Sequence, residues 1–193
     1  MPSLALARFI HESGLVSLTG AQQIAAHFTQ QTLVKNQLLL KAGQIADHYF
    51  FLEAGYLRAF AEDTTGQEVT TGFYMPGQVV FEVTSFFNRS RSKENIQALG
   101  ECEGWFITYQ QLNELFHAMP EFREFGRAML VKGFSDLKSR LLATITETAE
   151  ERYRNLLLTQ PDLLQHASQK HIASYLGVTD TSLSRIRASL VKK

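Results

Sequence analysis

The sequence predicts an α+β protein built in series: an N-terminal antiparallel β-roll, a long helix suited to dimerisation, and a C-terminal helix-turn-helix. Three observations carry this prediction. Between residues 37 and 108, short β-rich runs alternate with glycines, with turn signals about every 8 to 12 residues. From about residue 119 to 147, only Gly126 and Gly133 interrupt a helical apolar stripe. The stretch 169–190, QKHIASYLGVTDTSLSRIRASL, sets two short amphipathic runs on either side of Gly177. The domain boundaries that follow are 1–118 for the roll, 119–147 for the long helix and 148–193 for the helix pair.

Composition narrows the class of molecule. The 193 residues are 45% hydrophobic and 20% charged, which fits one large or two small globular domains with real cores. No apolar run approaches the ~18 to 20 residues that span a bilayer. The N-terminus lacks a basic segment followed by an apolar core, so no export signal is expected and a cytoplasmic location is. The lone Cys102 excludes an internal disulfide and any all-cysteine metal or iron–sulfur site within one chain. It reads as a small buried residue. The formal net charge of zero divides unevenly: residues 1–137 hold 10 Lys/Arg and 14 Asp/Glu, net −4, and residues 138–193 hold 9 and 5, net +4. That polarity suits a molecule whose C-terminal part approaches a polyanion.

Taken in order, residues 4–34 carry helix-like apolar spacing at Leu4, Phe9, Ile10, Ile24, Ala25 and Phe28, broken at Gly14 and Gly20, with Thr19 as a cap. From Gln37 the β texture begins: QLLL, HYFFLEA, YLRAFAE, the hairpin turn DTTG, then QEVTTGFY and Pro76-Gly77. Residues 79–83, 95–99 and 105–108 supply the later strands. Thr108 caps a short helix, YQQLNELF, and Pro120 falls where a first helical turn tolerates proline. Along the long helix, Leu130, Phe134, Leu137 and Leu141 recur at 4, 3, 4 spacing, widened by Phe122, Met129 and Ile145. Part of this stripe must pack on the roll, and its breadth predicts a symmetric partner as well. TAEERYRNLLLTQ is a further amphipathic helix closed by Pro161.

The final motif is read from spacing. Ile172, Leu176, Val178, Leu183, Ile186 and Leu190 point inward, Ala173 lies where the two helices touch, and Gly177 takes the left-handed turn. Thr179 caps the second helix, with Asp180 beside its positive end. Thr181, Ser184, Arg185, Ala188 and Lys192 face outward, a small, polar, basic surface fitted to base edges and phosphates in a major groove. The chain ends at Lys193, so no further DNA-binding structure is expected beyond this helix.

A glycine-cornered roll, a long apolar helix and a terminal helix-turn-helix together resemble the cyclic-AMP receptor protein/FNR family of bacterial transcription regulators. GQIADHYFFLEAGYLRAF, PGQVVFEVTSFF, ITYQQLNELFHAMPEF and IASYLGVTDTSLSRIR carry the resemblance over nearly the whole chain. It implies a double-stranded β-helix (jelly-roll) sensor and a winged-helix-like reader. It implies a homodimer joined through Phe122, Met129, Leu130, Phe134, Leu137 and Leu141, with RNA polymerase as a further partner. The operator it implies is roughly palindromic, its half-sites about one helical turn apart. Arg185 occupies the place of a base-reading arginine, with Thr181 and Ser184 beside it. Asp180 and Thr181 replace an Arg-Glu pair of the best-known members, so the operator should differ from the cyclic-AMP receptor's. Ser168, Gln169, Lys170, Thr179, Arg187 and Lys192 are the candidate contacts to the DNA backbone.

The family's effector site offers backbone amides, a glutamate and an Arg-Ser pair to cyclic AMP. Here Glu82 matches the glutamate, but Phe81 stands where a glycine precedes it, and Ser92 and Lys93 fall at the Arg-Ser places. Phenylalanine obstructs the close approach that glycine allows, and serine does not reproduce arginine's bidentate grip on phosphate. Control by cyclic AMP is therefore not expected; Glu82, Arg89, Arg91, Ser92 and Lys93 remain candidates for binding another small anion, with the effector unidentified. Two other functions compete. A ligand-binding sensor with little DNA binding is motivated by Asp180 and the weak net charge. A cupin-like metal enzyme needs two or three strand histidines, whereas His48 is alone among the strands and His11, His27, His117, His166 and His171 are scattered, so no enzyme activity and no metal are expected.

Overall fold

Two short helices open the described part of the chain, residues 3–191 of the computed structural model. α1 (Leu4–Glu12) starts at Ser3, whose hydroxyl accepts from the Leu6 amide, and buries Leu6, Ala7 and Ile10. α2 (Leu18–Ala25) is capped by Ser17 rather than Thr19, and Gly20 lies inside it instead of ending it. A Cβ at that position would displace the flexible Glu121 carboxylate and press on Ser17 Oγ and the Val16 side chain.

Among the described residues, eight strands form two four-stranded antiparallel sheets. The first runs β1 (Thr29–Leu33), β8 (Cys102–Thr108), β3 (His48–Ala54), β6 (Gln78–Val80). The second runs β2 (Leu38–Leu40), β7 (Asn95–Ala98), β4 (Leu57–Glu62), β5 (Glu68–Tyr74). β1 lies ahead of the position where the sequence reading begins the β region. Its sequence, TQQTL, buries only Leu33, so there is no apolar alternation to see; pairing with β8, from Thr29 opposite Phe106 to Leu33 opposite Cys102, defines it. The DTTG turn joins β4 to β5, and Asp63 Oδ1 accepts from the amides of Thr65 and Gln67 and from the Thr65 hydroxyl. β3 is buried over four successive residues, Tyr49, Phe50, Phe51 and Leu52, because one face meets the other sheet and the other meets helices. Phe9 of α1 bridges the helical side, its ring 5.1 Å from Phe51 and 5.7 Å from Phe125.

The expected strand over 79–83 stops at Val80. Glu82 caps α3 (Val83–Asn88), accepting from the amides of Thr84 and Ser85. Thr108 and Gln111 form a capping box on α4 (Tyr109–Ala118), and α5 (Pro120–Thr146) follows. The first turns of α5 belong to the roll's own core, where the Phe122 ring sits 5.1 Å from Phe116 and 5.8 Å from Phe125. Phe122, buried, and Met129, packed against the same core, are therefore not on a free seam as the sequence reading had them. Beyond them the helix leaves the roll. Phe134 and Leu137 are 69% and 63% exposed, and Leu130, Val131, Leu141, Leu142 and Ile145 extend the same apolar surface.

The C-terminal module consists of α6 (Ala149–Thr159), with a Thr148–Glu151 capping box, the short α7 (Leu163–His166), α8 (Gln169–Leu176) and α9 (Asp180–Val191). Tyr153, Leu156, Leu163, Ile172, Ala173, Leu176 and Leu183 form its core, and Phe73 of β5 is part of the same cluster. Among the described residues no strand follows Thr108, so the C-terminal module is helical and lacks the wing that the resemblance implies.

Candidate DNA interface and sensor cavity

The geometry of α8 and α9 follows from local chemistry. Ser168 caps α8 by accepting from the His171 amide. Ile172, Ala173 and Leu176 face the core, and Gly177, at φ 69°, ends the helix in the left-handed region that a side chain disfavours. The Val178 amide donates back to the Ala173 carbonyl, closing the turn at 3.0 Å. Thr179 Oγ1 accepts from the Ser182 amide at 3.2 Å and starts α9. Leu183 is buried and Ile186 and Leu190 pack beside it, which turns Thr181, Ser184, Arg185, Arg187 and Ala188 to solvent. Thr179, Asp180, Ser168 and Lys170 are exposed around the same rim. Among the described residues neither Arg185 nor Arg187 is held in an ion pair. Lys192 lies outside the described residues.

One candidate backbone contact is committed elsewhere. Gln169 Nε2 donates to Ser184 Oγ at 2.7 Å and to the Asp180 carbonyl at 3.2 Å, so both amide hydrogens tie α8 to α9. No N–H of this side chain remains for a phosphate.

The anion site drawn from the sequence does not assemble. A cavity of about 190 Å³ opens between the sheets, lined by Leu39, Leu40, Gln44, Ile45, Ala46, Asp47, His48, Val80, Phe81, Glu82 and Ile96. Of the five candidates only Glu82 reaches it, and its two oxygens cap α3. Arg89, at the left-handed end of α3, turns to the Ala46 carbonyl and the Asp47 carboxylate. Arg91 donates to the Gly43 carbonyl, and the buried Ser92 hydroxyl donates to the Glu94 carbonyl; exposed Lys93 does not line the cavity. Phe81 projects into an aromatic cluster, with Tyr49 at 5.0 Å, Phe86 at 5.4 Å and Phe87 at 5.9 Å. Asp47 on its wall is already paired with Arg89, Glu82 is engaged in capping α3, and no Arg or Lys is among the lining residues, so the cavity offers no free cation to an anion. Burial lowers the pKa of His48 against the opposing pull of Asp47, so the imidazole there is biased to its neutral form.

A junction without a periodic signature in the sequence joins the C-terminal helices to the roll. The Thr70 amide donates to Ser174 Oγ at 2.9 Å, the Phe73 and Tyr175 rings lie 5.1 Å apart, and Tyr56 stacks on His166 at 4.1 Å. Arg140 from α5 lies 4.1 Å over the Tyr175 ring and donates to the Thr71 carbonyl. Arg58, only 2% exposed, pairs with Glu68 at 2.6 Å and stacks on Phe60. The one signal was that arginine in the apolar run YLRAF, a charge that must find a partner when the strand is buried. Arg152 ties two helix ends together, donating to the carbonyls of Glu147 and Leu176.

The architecture is a β-roll extended by a long helix into a helix-turn-helix pair. Residues 30–118 match the cyclic nucleotide-binding domain family. The transcriptional activator protein Anr of Pseudomonas protegens is 23% identical over 167 residues, which cover 80% of this chain and 67% of that protein. The fold matches FixK2 from Bradyrhizobium japonicum with a TM-score of 0.72 at 20% identity, over 86% of this chain and 85% of that one. It also matches the c-di-GMP responsive global regulator CLP of Xanthomonas campestris, with a TM-score of 0.69 at 18% identity over 95% and 91% of the two chains. The chain thus carries a cyclic nucleotide-binding domain over residues 30–118 and is similar over most of its length to transcription regulators of the cyclic-AMP receptor protein/FNR type. Among the described residues no helix is long and apolar enough to cross a membrane, and no group of three or more His, Cys, Asp or Glu is placed to hold a metal ion.

Proposed function

We propose that this chain is a homodimeric, sequence-specific DNA-binding regulator that pairs through α5 and reads an operator half-site with α9. The observation that carries the reading is the outward face of α9: Thr181, Ser184 and Arg185 stand exposed on a helix whose opposite side is anchored by Leu183. Arg185 is the base-reading residue, with a guanine as its natural target. Ser168, Lys170, Thr179 and Arg187 are placed around it for the DNA backbone. Leu130, Phe134, Leu137 and Leu141 form the centre of the dimer seam, an apolar surface too broad to leave in water. Two chains then present two α9 helices to successive major grooves, and RNA polymerase is the further partner.

The input is not cyclic AMP. Glu82 is engaged in capping α3, Phe81 stands among Tyr49, Phe86 and Phe87 where the close approach of a phosphate needs a glycine, and Arg89 and Arg91 are held by Asp47 and the Gly43 carbonyl. The test is retention of genomic fragments by the purified protein at physiological salt. A small subset held well above the rest supports the reading; equal retention of all fragments contradicts it. A thermal-shift series with cyclic nucleotides tests the second point, and a large rise in melting temperature with cyclic AMP contradicts it.

A further inference from the structure

We infer that Gln169 fixes the hydrogen-bonding sense of Ser184, committing that hydroxyl to donate to a base edge that carries an acceptor. This rests on the DNA-reading role proposed for α9. The Gln169 amide nitrogen lies 2.7 Å from Ser184 Oγ and 3.2 Å from the Asp180 carbonyl. The two ends of an amide are alike in shape, and the second contact decides which end is which. A carbonyl oxygen only accepts, so the atom facing Asp180 is the N–H donor. The other hydrogen of the same nitrogen goes to Ser184, which must accept it. A flipped amide would set two carbonyl oxygens against each other.

The consequence falls on the free side of the serine. With one lone pair taken by Gln169 and no acceptor for its own proton among the described residues, Ser184 presents an O–H to the groove. In the major groove guanine offers N7 and O6, thymine O4 and adenine N7, while cytosine presents its N4 amino donor. A serine free to rotate takes either role, whereas a serine held by a donor favours the first three bases over cytosine. Gln169 is thus a positioning residue for specificity, acting from α8 through Ser184 on α9.

The test compares sites selected by the wild type with those selected by variants. Ser184→Ala marks the operator position that Ser184 reads, and Arg185→Ala marks its neighbour. In Gln169→Met, of similar length and without a donor, discrimination against cytosine at the Ser184 position falls from about fivefold or more to within about twofold of none. Discrimination at the Arg185 position is retained. Gln169→Arg, which carries donors only, keeps the wild-type preference. The inference is overturned if Gln169→Met keeps that preference, if it weakens all sequences and positions alike, as loss of a phosphate contact does, or if Ser184→Ala alters no position. Absence of any sequence-specific binding by the wild type overturns the DNA-reading role itself, a distinct outcome.

Discussion

The proposed DNA-binding function gives Arg185 and Lys170 different tasks. Arg185 is exposed in the middle of α9 with no ion pair among the described residues, so its guanidinium is free to grip a base. Arg185→Ala should cost about 1 to 3 kcal/mol of specific binding and relax one operator position, measured by fluorescence anisotropy across single-base variants of the site. Lys170 is exposed at the start of α8, and the proposed reading assigns it to the DNA backbone. Lys170→Ala should weaken all sequences alike and lower the slope of log affinity against log salt by about one. These positions were legible in the sequence because a helical wheel separates inward from outward residues. The Gln169–Ser184 bond was not legible: its partners lie in different helices with no periodic relation, and only the crossing of α8 and α9 brings them together.

The long helix shows what spacing alone leaves open. Its stripe was visible in the sequence, but the stripe serves two masters, and periodicity does not say where one ends. Phe122, Phe125 and Met129 pack on the roll, while from Leu130 onward the apolar residues stand in solvent. Phe134→Glu places a charge in the centre of that exposed surface. Sedimentation should find the wild type as a dimer and the variant as a folded monomer, with far weaker operator binding. A monomeric wild type would remove the seam from the account. β1 and the strand ending at Val80 were misread for related reasons: an edge strand with one buried side chain carries no alternation, and the helix cap made by Glu82 is invisible until the chain folds back.

The roll and the reader meet through β5, α5 and α8, an arrangement that sequence patterns do not encode because its partners lie about a hundred residues apart, as Thr70 and Ser174 do. The junction contains a titratable group, His171, whose Nδ1 is buried without a partner. Burial foremost, then the Arg58 cation with help from Lys170, lowers its pKa below the ordinary 6.5, and Glu68 opposes them. In the window between that lowered value and 6.5 the unfolded chain binds protons that the folded chain refuses, so stability falls as pH falls through it and is flat above it. His48 acts in the same direction. Melting temperature should therefore decline below pH 6.5, and His171→Gln should make the decline shallower without abolishing it. An unchanged pH profile in His171→Gln would remove this histidine from the junction's energetics.

At the scale of the dimer the central claim is geometric. If α5 pairs two chains as proposed, two α9 helices related by a two-fold axis read two half-sites, about 10 base pairs apart centre to centre. Base-resolution protection of a recovered operator, combined with the stoichiometry of the complex, measures this directly. A dimer of this kind gives a symmetric footprint of two inverted half-sites, each with a guanine whose contact is lost in Arg185→Ala, and two chains per site. A single half-site bound by one chain, or protection unrelated to Arg185, would contradict it.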